Sequence, residues 1–147
     1  MPNDLIVVRF KFIRRWLSTL KNMLDNELTS QVIGCAIKIH KSLGPGLLES
    51  AYEACLYHEI IKIGLFAERQ KAIPLVYETV KLDCGYRADL VVERKIVVEI
   101  KAVDALNEIH LMQTLTHIKL LNFRLGLLIN FNVVKLSGGI KRVINGY

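Results

Sequence analysis

The stretch "YRADLVVERKIVVEIKAV", residues 86–103, constrains the fold more than any other part of the chain. Two runs rich in Val, Ile and Leu flank Glu93-Arg94-Lys95, the signature of a β-hairpin. Three ionisable residues, Asp89, Glu99 and Lys101, are embedded in those apolar runs. Side chains two apart in a strand share a face. Glu99 and Lys101 therefore project together with Val97, while Val98 and Ile100 point the other way. A loop of three residues, 93–95, sets Asp89 opposite Glu99 and on the same face. A two-residue loop would set it opposite Val98, so the face that Asp89 occupies hangs on one residue of loop length.

Two carboxylates side by side repel and are hard to ionise together. A divalent metal removes that conflict, and hard oxygen ligands with some retained water suit Mg²⁺ or Mn²⁺. A lysine beside such an ion can hold or orient a water and stabilise charge developing on a phosphate. The competing reading is an ordinary solvated hairpin face, with Glu99 and Lys101 a weak surface pair.

Around the hairpin the element order is legible. "NELTSQVIGCAIKIHKSLG" reads as a helix with Asn26 as N-cap and Leu28, Val32, Ala36, Ile39 and Leu43 in helical steps. Gly44-Pro45-Gly46 breaks it. "LLESAYEACLYHEIIKIG" resumes a helix with Leu48, Tyr52, Cys55, Leu56 and Ile63 on one flank and Gly64 as C-terminal cap. "LFAERQKAIPLVYETVKL" gives one or two strands, Pro74 marking an edge or bulge. After the hairpin comes a helix with apolar residues at 109, 112, 115, 118 and 121, then the buried strand "RLGLLINFN" and a last short strand in the tail. Helix, helix, three or four strands, helix and strand make a mixed α/β domain with a sheet backed by helices.

A chain of 147 residues is one domain's worth, and half of it is apolar, enough for a core. No run reaches the roughly 18–20 apolar residues of a membrane span. The opening "MPNDLIVVRFKFIRRWLSTL" is a poor signal peptide, so a cytoplasmic location is expected. Cys35, Cys55 and Cys84 form no CxxC pair and read as small buried residues. The net charge of +6 favours polyanions, nucleic acid first. Arg9, Lys11, Arg14, Arg15 and Lys21 carry most of it, and without them and Asp4 the excess is about +2. Residues 1–25 read as a basic, apolar N-terminal extension that could form a surface helix, and residues 26–147 as the domain proper. Met23 offers an alternative start, because the organised part begins just after it.

The constellation Asp89…Glu99-Ile100-Lys101 resembles the active-site motif of the PD-(D/E)XK nuclease superfamily, the restriction-endonuclease-like fold. "GLLESAY", Gly46-x-x-Glu49-x-x-Tyr52, is similar to the motif of the GxxExxY family, a branch of it. The likeness continues through "IH..Q" and "LGLLINFN" to "GIKR" and spans roughly residues 26–144. It implies an αβββαβ core, with Asp89 and Glu99 as metal-binding acids, the Ile100 carbonyl completing the shell and Lys101 as catalytic lysine. Glu49 would reach the metal through water, and Gln113 would orient a phosphate or water. His117 stands where related branches often carry tyrosine, four residues after that glutamine, which leaves its role open.

Three further residues are weaker candidates for contacting substrate. Arg87 could meet a phosphate or pair with Glu99 or Glu49. Tyr52 could orient a carboxylate or simply pack at the core's rim. His110 falls near the Gln113 face. The implied activity is Mg²⁺- or Mn²⁺-dependent phosphodiester hydrolysis, with DNA as expected substrate. The alternatives are an inactive nucleic-acid-binding or protein-interaction module on the same scaffold, or metal-assisted chemistry on a small molecule. The chain shows no added reading head, so sequence specificity would be low or supplied by a homodimer or protein partner.

Overall fold

The computed structural model describes residues 2–83 and 85–146. Cys84, one of the three thiols expected to be buried, lies outside them. Helix α1 is Pro2–Leu43 and α2 is Glu49–Lys62; then come β1 (Ala67–Ala72), β2 (Leu75–Tyr77) and β3 (Val80–Leu82). The hairpin is β4 (Arg87–Val92) and β5 (Ile96–Lys101), followed by α3 (Glu108–Leu120), β6 (Leu125–Asn130), a 3₁₀ turn and β7 (Ile140–Ile144). The chain divides into two units, Met1–Val32 and Ile33–Tyr147, and the sheet, α2 and α3 all belong to the second.

Five strands form one sheet in the order β1-β4-β5-β6-β7, while β2 and β3 pair separately. Among the described residues only β5 and β6 run parallel. The crossover that a parallel pair requires is α3, so the helix packs on the strands it connects. The mixed α/β architecture with helices backing the sheet is the expected one. The segment after α2, expected as one or two strands, is three, and Pro74 sits in the break between β1 and β2.

The hairpin loop has three residues. Val92 pairs with Ile96, Val91 with Val97 and Leu90 with Val98, so the same register carries Asp89 opposite Glu99. Glu93 and Arg94 both take left-handed backbone angles (φ 52° and 51°), which turn the chain back on itself. The Glu93 carboxylate accepts the Phe66 N–H at 2.9 Å, and the Arg94 guanidinium sits 5.0 Å over the Phe66 ring. The Glu93 and Arg94 side chains are thereby tied to the approach to β1.

Every residue of β5 but the last is buried, and so is all of β6. Burying Ile96, Val97, Val98 and Ile100 is worth roughly 1.5–3 kcal/mol each. Val97, Val91 and Ile73 pack with Ile118 of α3, and Leu111, Leu115, Leu121 and Phe123 close over them. The helix comes close because β6 carries Gly126 beneath it. A Cβ there would lie 3.0 Å from Ile118 Cγ2 and 3.1 Å from Thr114 Cγ2.

Several helical expectations are corrected. Asn26 is not an N-cap, because no Gly or Pro interrupts residues 3–33 and α1 continues through it. Leu43, Leu48 and Ile63 are exposed, as are Ile109 and Met112. The buried side of α2 is Tyr52, Glu53, Leu56 and Ile60, so its apolar flank is rotated from the expected one. In α3 the covered side runs through Leu111, Leu115 and Ile118. Gly64 does cap α2. With φ at 90° it lets its own N–H reach the Ile61 carbonyl (2.9 Å) and the Leu65 N–H reach that of Ile60 (3.2 Å).

Candidate active site

The site forms where β4 and β5 part. Past Leu90 and Val98 the two strands no longer pair backbone to backbone, and the Ile100 N–H donates instead to Asp89 Oδ2 at 2.8 Å. One carboxylate thus replaces a rung of the ladder and is held against the strand that carries Glu99 and Lys101. On its other side Asp89 Oδ1 accepts from the Gln70 amide at 3.3 Å. Gln70 lies opposite Asp89 on β1 with a left-handed backbone (φ 48°), a strained conformation for a residue with a side chain.

Glu53, buried on α2, extends this network. It accepts a short hydrogen bond from the same Gln70 amide and is gripped by Arg69 through Nε (3.3 Å) and Nη2 (2.9 Å). A buried carboxylate needs such a partner to remain charged. Neither Glu53 nor Gln70 carried a signal in the sequence. Glu53 sits one turn beyond Glu49, and Gln70 acts through a backbone kink that no residue type announces.

Glu99 is 7% exposed. One oxygen is bonded to His117 Nδ1 of α3 in a short contact. His117 is therefore the anchor of Glu99, the role its sequence position left open; only the packing of α3 over Gly126 reveals it. Lys101 ends β5, and its carbonyl accepts the Phe131 N–H at 2.9 Å. Buried Asn130, its parallel neighbour on β6, bonds both the N–H (3.1 Å) and the carbonyl (2.9 Å) of Val103. These contacts fix the chain as it leaves the site.

Glu49 stands at the first turn of α2 and accepts the Ala102 N–H at 3.2 Å. Tyr52 does not face the acids. It is fully buried, stacked on Phe131 at 4.4 Å, and its hydroxyl donates to the Gly44 carbonyl (2.6 Å) and accepts from the Leu47 N–H (3.2 Å). Its place as a substrate contact is corrected: it clamps the turn from which Glu49 is launched, where Gly46 has φ of 103°. Arg87 pairs with neither Glu99 nor Glu49 but donates to the Gln70 carbonyl at 3.0 Å. His110 completes a capping box with Asn107, accepting its N–H at 3.2 Å, which is a structural duty.

One pocket of about 280 Å³ gathers Asp89, Glu99 and Lys101 with Glu49, Arg87, Gln113, His110 and His117. An adjoining one of about 280 Å³ runs along Glu49, Glu53, Gln70 and Asp89. Burial, and next the charge of Glu99, push the Asp89 carboxyl up to about 7 despite the Ile100 N–H; Glu53 adds to the rise. Among the described residues no three His, Cys, Asp or Glu side chains form a ready metal cage. A two-acid site does not need one, since Mg²⁺ commonly takes one or two carboxylates and keeps several waters. The donors fit a hard divalent ion: two convergent carboxylates whose mutual repulsion a cation would relieve.

Among the described residues no helix is long and apolar enough to cross a membrane. A family model described as PD-(D/E)XK nuclease superfamily matches residues 26–143. No curated protein and no solved structure matches the chain.

Proposed function

Because the chain belongs to the PD-(D/E)XK nuclease superfamily, we propose that it is a divalent-metal-dependent nuclease that hydrolyses phosphodiester bonds in DNA. The catalytic unit is residues 26–147, of the GxxExxY branch by its Gly46, Glu49 and Tyr52. The observation that carries this reading is the convergence of Asp89, Glu99, Lys101, Glu49 and Gln113 on one pocket.

Asp89, Glu99 and the Ile100 carbonyl would hold Mg²⁺ or Mn²⁺, with Glu49 reaching it through water. Such an ion supplies charge that polarises the scissile phosphate and acidifies a water. The chain's own groups do the rest. Lys101 holds the attacking water in line and faces the negative charge that builds on the phosphate. Gln113, on the helix above, donates to a phosphate oxygen or that water. Arg87 lies at the pocket wall, where its guanidinium meets the flanking phosphate. His117 keeps Glu99 in place, and the Ile100 N–H with Gln70 does the same for Asp89.

The test is cleavage of single- and double-stranded DNA and RNA with Mg²⁺ or Mn²⁺, paired with calorimetric metal titration. Lys101→Ala should lose at least about a hundredfold in rate with metal binding intact. Asp89→Ala should lose both. Nucleic-acid binding without any metal-dependent cleavage would move the protein to the inactive binding module.

A further inference from the structure

The unit Met1–Val32 carries a run of exposed apolar side chains that the acidic site does not use. Along α1, Phe10, Ile13, Leu17, Leu20 and Leu24 recur at three- and four-residue steps, and all are exposed. Phe12, Trp16 and Met23 are exposed beside them, widening the stripe. The rest of the circumference carries Lys11, Arg14, Arg15 and Lys21 among Ser18, Thr19 and Asn22, with the exposed Val7 and Val8 at its start. Arg9 lies within the stripe, where a long aliphatic stem can follow an apolar surface while its charge reaches outward. Residues 7–24 contain no acid at all.

We propose that residues 7–24 lie along an anionic lipid surface, apolar face down. Charge decides between the candidate occupants. The spacing of the stripe would also suit a second copy of the helix. In a pair aligned over residues 7–24, however, Arg9 within the seam and Arg14 and Lys21 at its border meet no acid on the partner, and like charges there repel. A nucleic acid would satisfy the cations and leave Phe10, Phe12, Trp16 and the leucines in water. An anionic bilayer satisfies both halves, with the rings and leucines in the acyl boundary and the cations among headgroups. The helix lies on the surface rather than crossing it, as no described helix is apolar enough to span. This inference stands apart from the nuclease reading, for none of these residues lines the acidic pocket.

Trp16 is the chain's single tryptophan, so its emission reports this face alone. The 147-residue chain is sedimented with vesicles of phosphatidylcholine and of phosphatidylcholine with phosphatidylglycerol. Binding to the anionic vesicles only, with Trp16 emission moving to shorter wavelength, is expected. Arg14→Gln, Arg15→Gln and Lys21→Gln together should weaken it about a hundredfold, at about fivefold per basic residue. Leu17→Asp with Leu20→Asp should abolish the emission shift, with circular dichroism confirming that the domain is folded. Three results overturn the proposal. One is no sedimentation. Another is sedimentation that the Leu17/Leu20 variant keeps, which makes it charge attraction alone. The third is a Trp16 already blue-shifted without lipid in a dimer, which gives the face to a second copy. Short duplex DNA that binds through residues 7–24 when vesicles do not reassigns it to nucleic acid.

Discussion

Replacing Asp89 by asparagine isolates the electrostatic tension in the pocket. Asp89 is raised from an ordinary 3.8 to about 7, through burial first and the neighbouring Glu99 charge second. A carboxyl with its folded pKa raised prefers to be neutral in the fold. Its favourable contribution is complete below the unfolded value near 4, and is lost as pH climbs towards 7. From pH 5 to pH 8 about two units of that rise are traversed, a ceiling of about 3 kcal/mol at 1.36 kcal/mol per unit. Asp89 is only half-buried, so solvent screening brings this to about 1–2 kcal/mol.

Asparagine keeps the bond from the Ile100 N–H but turns an amide towards that of Gln70, losing about 1 kcal/mol at every pH. The difference in unfolding free energy between Asp89→Asn and wild type should therefore shift in the variant's favour by about 1–2 kcal/mol between pH 5 and pH 8. Urea denaturation followed by circular dichroism, in EDTA at four pH values, measures it. Subtracting the two proteins cancels the titrating groups that are not coupled to Asp89. A difference that stays flat with pH would refute the claim that Asp89 is held against its charge.

Other substitutions probe the supports of the site. His117→Ala removes the partner of buried Glu99 and should cost about 1–3 kcal/mol at pH 7, with His117→Gln recovering part; denaturation midpoints decide. Gly126→Val drives a side chain into Thr114 and Ile118, and should lose about 1–3 kcal/mol while lifting the helix that carries Gln113 and His117. Metal affinity measured by titration should fall with it. Tyr52→Phe strips the clamp on the Gly44–Leu47 turn and should lower stability by about 1–2 kcal/mol without abolishing metal binding.

The hairpin and its acids were legible because strand geometry is local. Alternation places Glu99 beside Lys101, and counting residues across 93–95 places Asp89 opposite. The position of α3 was less so. Its apolar residues occur on several sides, and Ile109 and Met112 read as well as Leu111 does until the sheet selects a face. Asn26 reads as a cap only if the helix begins there, and favourable residues before it carry the helix past. The supports of the acids were out of reach for a different reason. Glu53 and Gln70 come to Asp89 from α2 and β1, and His117 comes to Glu99 from α3. Such encounters depend on tertiary packing, and nothing in the spacing of the residues encodes them.

The three-residue turn between β4 and β5 bears on how this chain can vary. Strands apolar on both faces bury about as well after slipping by one position, so the core alone discriminates poorly between neighbouring alignments. Elsewhere a surface loop can gain or lose a residue at small expense. Here an insertion that the turn did not absorb would slide one strand by a position and exchange Asp89 for a hydrophobic neighbour while much of the sheet survived, yielding a folded protein with no chemistry. A slip of two would return Asp89 to the same face but set it opposite Val97 or Lys101 instead of Glu99. Length variation at 93–95 should therefore be tolerated where the turn itself takes up the added residues and should cost activity where the strands slip, a mark of function that inspection of individual side chains would miss.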